Sequence, residues 1–238
     1  MAVADGRIAG AEALARWHDD ELGWVSPAEF VPMAERAGLV SALTTRMIDS
    51  AVEQAVRWRR DIDDRFRVSI NLSSDDLLDE SIVERTQSIL AAHEAAGDLL
   101  EFEVTESALV ADVDRAIEQM LALRELGVRF AIDDFGTGYS SFQYLRQLPV
   151  DTLKIDRSFV GNIIDNPDDA AILQAICGMA GSLGIDSVAE GVERQEQVTF
   201  LKAYRCSQAQ GFLYSPAVPH SRFQQFLLEG FSLGSLAS

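Results

Sequence analysis

Short runs rich in β-branched and aromatic residues recur along this chain, each followed by a longer amphipathic stretch. The runs are Arg7–Leu14, Arg67–Leu72, Leu100–Thr105, Val128–Asp133, Thr152–Asp156, Ser187–Glu190 and Ala209–Tyr214. Strands that alternate with helices build a mainly parallel sheet, either open or closed into a barrel. The polar residues decide between the two. Asn71, Glu103, Asp133 with Asp134, Lys154 with Asp156, Glu190 and Gln210 fall at or just past the C-terminal ends of six successive runs. An open doubly wound sheet gathers ligands only near its switch point, so six separate strand ends would not reach one site. In a closed barrel every strand end faces the same mouth. The expected fold is therefore α/β, a (β/α)8 TIM-like barrel.

Local start and stop signals frame the helices between these runs. One pattern passes from Val113 through Ile117, Met120 and Leu121 and stops at Gly127. Another has Asn166 at the N-cap, Pro167 at the first helical position and Asp168 and Asp169 in the first turn. Its stripe is Ile172, Ile176, Met179 and Leu183, and Gly184 ends it. Both stripes are expected to pack on the sheet. The run Arg57–Arg67, dense in charge of both signs, reads as a solvated helix end and turn. The C-terminal Phe231–Ser238, small and polar, is expected to fray. No repeat or linker divides the chain, so residues 1–238 are expected to form one domain.

Composition excludes several classes of function. The chain carries 38 acidic and 20 basic side chains among 238 residues, a formal charge of −18. That balance argues against DNA or RNA polymers as partners, which need clustered Lys and Arg. With 47% apolar residues the chain can bury a real core. No stretch is long and apolar enough for a membrane span, and the N-terminus has no signal-peptide pattern. Cys177 and Cys206 stand at no metal or redox spacing, and His18, His93 and His220 have no partner at metal-ligand spacing. The expectation is buried, reduced thiols in a cytoplasmic protein.

The strand-end carboxylates carry the chemistry. Each alone reads as a helix cap or turn residue, but crowded together they repel unless a cation neutralises them. Oxygen donors without Cys or His select Mg²⁺ or Mn²⁺ over zinc. In the vicinal pair Asp133–Asp134, one carboxylate can bridge two ions while its neighbour holds the second, an arrangement suited to in-line attack on phosphorus. Lys154, between apolar neighbours, reads equally as a structural ion-pair partner or as an ammonium inside the mouth that stabilises phosphoryl charge. The stretch Asp133–Ser141 is a strand end running into a glycine-bearing loop, expected to be mobile beside the site, and is not a nucleotide fingerprint because residue 141 is Ser.

These residues resemble the EAL-domain family, bacterial phosphodiesterases of the second messenger cyclic di-GMP. The signature stands as Glu12-Ala13-Leu14, followed by Ala15-Arg16-Trp17. Further matches are Val68–Ser74, Glu103–Ser107, Asp133–Ser141, Leu148–Val160, Val188–Glu193 and Gln210–Pro219. The resemblance implies a barrel whose first strand is antiparallel to the rest, with two Mg²⁺ or Mn²⁺ ions at its mouth. It implies that Glu12, Asn71, Glu103 and Asp133 hold one ion. Asp133 bridges to a second ion held with Asp134, and Glu190 lies beside the bridging water. Lys154 holds the nucleophilic water, so Lys154, Glu190 and Glu12 form the catalytic set. Arg16, Gln210, Asp156 and Glu193 are placed with the substrate, and Glu106 anchors the loop after Asp134. The implied reaction opens cyclic di-GMP to linear 5′-pGpG. The implied partners are a second copy of the chain and regulatory or GGDEF-type domains.

One departure stands out. Only Met1–Ala4 precede the Asp5-Gly6 turn signal, too few for a full first strand of about 5 residues. That strand is expected to be missing or truncated, with the gap filled by another segment or a partner chain, or left open. The alternative function is a catalytically weak or inactive cyclic di-GMP receptor; degenerate relatives lose metal ligands, and this chain keeps them. An enolase-like barrel would want a second catalytic lysine on an early strand, and the lysines are Lys154 and Lys202.

Overall fold

The computed structural model describes residues 1–110, 112–137 and 145–229. The loop expected to be mobile continues into residues 138–144, and the C-terminal stretch expected to fray begins at 231; both lie outside the described residues.

Seven strands form one parallel sheet: β1 (Gly10–Ala13), β4 (Arg67–Asn71), β5 (Leu100–Thr105), β6 (Arg129–Phe135), β7 (Thr152–Ile155), β8 (Asp186–Ala189) and β9 (Gln208–Ala209), neighbours in that order. Helices follow the strands, the longest over Val40–Asp61 and Pro167–Leu183. Each strand sends alternate residues to opposite faces. On β5, Leu100, Phe102 and Val104 are fully buried in the apolar core, and the Phe102 and Phe130 rings lie 5.9 Å apart. Glu101 and Glu103 take the alternate positions and point to the polar interior.

The two edge strands of this sheet, β1 and β9, do not pair with each other directly. Met1–Val3 run antiparallel beside β9: the Ala209 N–H donates to Met1 O at 2.8 Å and the Val3 N–H to Ser207 O at 3.0 Å. The Ala2 N–H donates in turn to Arg7 O at 2.8 Å, across a turn at Asp5-Gly6 in which Gly6 has φ 72°. Val3 is itself part of the core. Three residues therefore suffice to bridge β9 to the segment leading into β1, with Met1 beside Ala209 and lining the same cleft as Glu12 and Lys154. The first strand is thus truncated to a single antiparallel bridge at Ala2 and Gln208, as expected.

Several finer expectations change. The last strand is Gln208–Ala209, not Ala209–Tyr214; residues 211–214 turn back, with the Leu213 N–H bound to Val192 O at 2.9 Å. Gly211, at φ 155°, permits this, since a Cβ there would lie 2.2 Å from Val192 O. An antiparallel pair the sequence reading passed over, β2 (Trp17–Asp19) and β3 (Gly23–Val25), forms a separate small sheet past β1. Its turn is held by Asp19 Oδ1, which accepts the N–H groups of Glu21 and Leu22.

The helix Pro167–Leu183 begins and ends as its signals demand, with Asn166 Oδ1 capping Asp168 N–H and Gly184 in the left-handed region. Its buried face is Ala170, Leu173, Ile176, Cys177 and Ala180, while Ile172 and Leu183 are exposed. Likewise the helix Val113–Glu125 buries Ala116, Gln119, Met120 and Leu123 and exposes Leu121. The buried stripe mixes small residues (Ala116, Ala170, Ala180) with large ones (Met120, Leu123, Leu173, Ile176), so it is rotated from the one read off the large apolar residues alone. Arg57–Arg67 is solvated only in part: Trp58 and Phe66 are buried, edge to face at 5.4 Å, and Arg59 donates to Phe66 O and Asp98. Cys177 and Cys206 are both buried and free, and the fold brings the two thiols into contact. Among the described residues no helix is long and apolar enough to cross a membrane.

Candidate metal and active site

The inner face of the sheet places one polar residue per strand at the mouth. Asn71 pairs in register with Glu103 across β4 and β5. Lys154 stands on β7 opposite Val188, two residues before Glu190. At β6 the register slips: Ile132 pairs with Leu153 and Phe135 with Ile155, so β6 holds one residue more than β7 over this span. The extra residue is a β-bulge, and Asp134 adopts φ 52° to make it. In a regular strand Asp133 and Asp134 would face opposite ways. The bulge turns both toward the mouth, where carboxylate oxygens of Asp133, Asp134 and Glu190 lie within 4.8 Å of one another.

Lys154 is the hub of the site. Its Nζ lies 2.6 Å from Glu103 Oε2, 2.8 Å from Glu190 Oε1, 3.0 Å from Asp133 Oδ1 and 3.9 Å from Glu12 Oε2. Both Lys154 and Glu103 are buried at 3% exposure. Asp133 Oδ1 is within ion-pair distance but lacks the angle of a hydrogen bond, and no other partner satisfies it. Glu12 is held by neutral donors: Asn71 Nδ2 reaches Oε1 at 2.7 Å and Gln210 Nε2 reaches Oε2 at 2.8 Å.

Four carboxylates thus surround one ammonium, with Asp134 beside them, and their proton affinities record the imbalance. Burial pushes the Glu103 carboxyl up to about 8, an effect that Lys154 opposes and Glu12 reinforces. Burial raises Glu190 too, with Lys154 opposing and Asp133 adding to it. Asp134 is raised by burial, then by Asp133 and Asp156. Burial works against the Lys154 ammonium, yet its four carboxylates hold it well above the usual lysine range. The donor set fits hard divalent cations: carboxylate and amide oxygens, excess negative charge and an unsatisfied buried oxygen on Asp133.

The remaining predicted residues lie around this cluster. Asp156 caps the helix Arg157–Gly161; burial would raise its carboxyl, but the hydroxyl and N–H of Ser158 and the Arg157 N–H outweigh that and hold it low. Glu106 Oε1 accepts the Gly136 N–H at 2.9 Å and so ties the start of the loop after Asp134 to the end of β5. Arg16 is exposed past β1 and donates to Ala15 O, and Glu193 is exposed, its N–H bound to Gln197 Oε1. Neither is drawn into the cluster. Beneath Glu12, Glu103 and Lys154 a cleft of about 70 Å³ is lined by Gly10, Ser69 and Glu101. Ser69, two residues before Asn71 on the same face, hydrogen-bonds Glu103. Sequence reasoning missed it, although the two-residue alternation along β4 marks it as inward-facing.

Comparison with known proteins sets this geometry in context. The sequence profile of the EAL domain matches residues 1–217. The chain is 40% identical over 216 residues to the cyclic di-GMP phosphodiesterase PA2567 of Pseudomonas aeruginosa, covering 90% of this chain and 36% of that one. It is 40% identical over 231 residues to the cyclic di-GMP phosphodiesterase NbdA of the same organism, covering 95% and 29%. The chain thus spans about a third of the length of these curated relatives. Among solved structures, the PaMucR phosphodiesterase in complex with c-di-GMP superimposes with a TM-score of 0.87 at 36% identity, covering 92% of this chain and 89% of that one.

Proposed function

The chain belongs to the EAL domain family, and from that premise we propose that it hydrolyses one phosphodiester bond of cyclic di-GMP to linear 5′-pGpG as a single catalytic domain. The observation that carries this reading is the cluster at the barrel mouth, in which Glu12, Glu103, Asp133 and Glu190 converge on Lys154 with Asp134 turned in beside them. A domain that only bound the dinucleotide would gain nothing from so many crowded, mutually repelling carboxylates.

In this reading Glu12, Asn71, Glu103 and Asp133 hold one divalent cation, Mg²⁺ or Mn²⁺, and Asp133, Asp134 and Glu190 hold a second. When bound, the cations supply Lewis-acid polarisation and neutralise charge on the scissile phosphate. The chain's own residues do the rest. Lys154 donates to the attacking water and orients it, and Glu190 accepts its proton. The water oxygen bonds to phosphorus as the bond to the 3′ oxygen breaks, leaving a 5′ phosphate and a 3′ oxygen that takes up a proton from solvent to become a free hydroxyl. Arg16 and Gln210 engage the substrate, with Asp156 and Glu193 at the rim, and Glu106 holds the loop after Asp134. A chain at −18 repels a dianion, so substrate entry depends on local positive charge at the mouth. The reading includes a homodimer and regulatory or GGDEF-type domains in a longer protein.

Chromatography of cyclic di-GMP incubated with the chain tests this. The expected result is pGpG with Mg²⁺ or Mn²⁺ and none in EDTA. Turnover that persists in EDTA sinks the metal-dependent reading. Cyclic di-GMP binding with no turnover in either metal points to the receptor.

A further inference from the structure

We infer that Lys154 is a built-in counter-cation that competes with divalent ions for the mouth carboxylates and thereby sets how tightly the site holds metal. The inference rests on the metal-dependent reading above, because it concerns the same oxygens.

The geometry is that of a cation cage. An ammonium has three N–H donors, and Lys154 Nζ has three carboxylate oxygens within 3.0 Å, from Glu103, Glu190 and Asp133, with Glu12 at 3.9 Å. These come from strands β5 and β6, the end of β8, and β1, so the ammonium gathers the ligands that the family reading assigns to metal. A magnesium ion demands oxygens at about 2.0–2.1 Å in near-octahedral array. A carboxylate oxygen has two lone pairs and can face both cations, so what opposes the metal is the positive charge of Lys154 held against the same oxygens. Asp133 Oδ1 lies close to Nζ without hydrogen-bond alignment, so its lone pairs remain directed at no donor.

Lys154 cannot withdraw far. It is 3% exposed on a central strand, flanked by Leu153 and Ile155, both fully buried. Its charge therefore stays within a few ångströms of any ion bound by these oxygens, and like charges at that range oppose each other strongly where water is scarce. The donors to Glu12, by contrast, are the neutral amides of Asn71 and Gln210. The one cation in the cage is thus the one that a metal has to overcome.

Calorimetric titration of Mn²⁺ into chelator-stripped wild type and Lys154→Met tests the inference. The expected result is Mn²⁺ affinity higher by on the order of tenfold or more in Lys154→Met, with a lower melting temperature that Mn²⁺ restores. Equal or weaker affinity in the variant overturns it. If the variant does not fold without metal, the wild type answers by NMR of its lysine ammonium groups. The chain has two lysines, and Lys202 is exposed, so the slowly exchanging signal is that of Lys154. Saturating Mg²⁺ is expected to shift that signal and speed its exchange; no change overturns the inference. Wild type that binds neither ion overturns the metal-dependent reading and the inference with it, whereas binding without competition overturns the inference alone.

Discussion

Gln210 Nε2 donates a 2.8 Å hydrogen bond to Glu12 Oε2, joining residues 198 positions apart across the two edge strands of the sheet. Asn71, on the strand at the other side of β1, donates to the second Glu12 oxygen at 2.7 Å. Both neighbours therefore orient one carboxylate, and the Gln210 contact spans the same gap between edge strands that Met1–Val3 bridge through the backbone.

Gln210→Ala is expected to lower kcat by tens of fold while costing roughly 1 kcal/mol of stability, the usual worth of one hydrogen bond. Glu12→Ala, which removes a proposed ligand outright, is expected to lower kcat by orders of magnitude with the fold intact. Steady-state kinetics and thermal melts on both variants check this. A Gln210→Ala enzyme with unchanged kcat would mean that Glu12 needs no such support.

Stability of the metal-free protein should depend on pH in a defined direction. Glu103 is raised from 4.5 to about 8 in the fold, and Glu190 and Asp134 are raised with it. A carboxyl whose folded value lies above its unfolded value favours the fold when protonated. The contribution is complete below about 4.5 and disappears as pH climbs through 8. Melting temperature in chelator should fall from pH 5 to pH 8, and Mg²⁺ should flatten the fall by binding the ionised form. A chelated protein that gains stability over this range would contradict the burial argument.

Glu106→Ala removes the acceptor for the Gly136 N–H and releases the start of the loop after Asp134. We expect at least a tenfold loss in kcat with a melting temperature within a few degrees of wild type, since one local hydrogen bond is lost. Glu106→Gln, whose amide oxygen still accepts, should recover most of the activity. If both variants match wild type, the anchor has no bearing on turnover.

Gly97→Ala should destabilise the domain by about 1–3 kcal/mol without touching the site. A Cβ there would sit 2.1 Å from the Leu126 carbonyl oxygen, backbone that cannot swing aside. Chemical denaturation of the variant measures the loss; a wild-type midpoint would show that the turn at Leu126–Val128 can yield.

The sequence alone determined what depends on a few neighbouring residues. The cap at Asn166, the stop at Gly184 and the hydrophobic cores of the strands act through local backbone geometry and burial, and they stand where the composition of each segment put them. The order of polar strand ends was enough to call for a barrel mouth and an oxygen-donor site. Only the tertiary structure decided which helix faces are buried, because the side turned to the sheet carries Ala170, Leu173, Ile176, Cys177 and Ala180 and leaves Ile172 exposed. It also decided the bulge at Asp134, which exists only in the register between β6 and β7. The convergence of Glu12, Glu103, Asp133 and Glu190 on Lys154 was likewise invisible along the chain. A sequence gives each charge its strand, but its energy depends on which other charges lie within a few ångströms, and that distance is set by how the sheet curls.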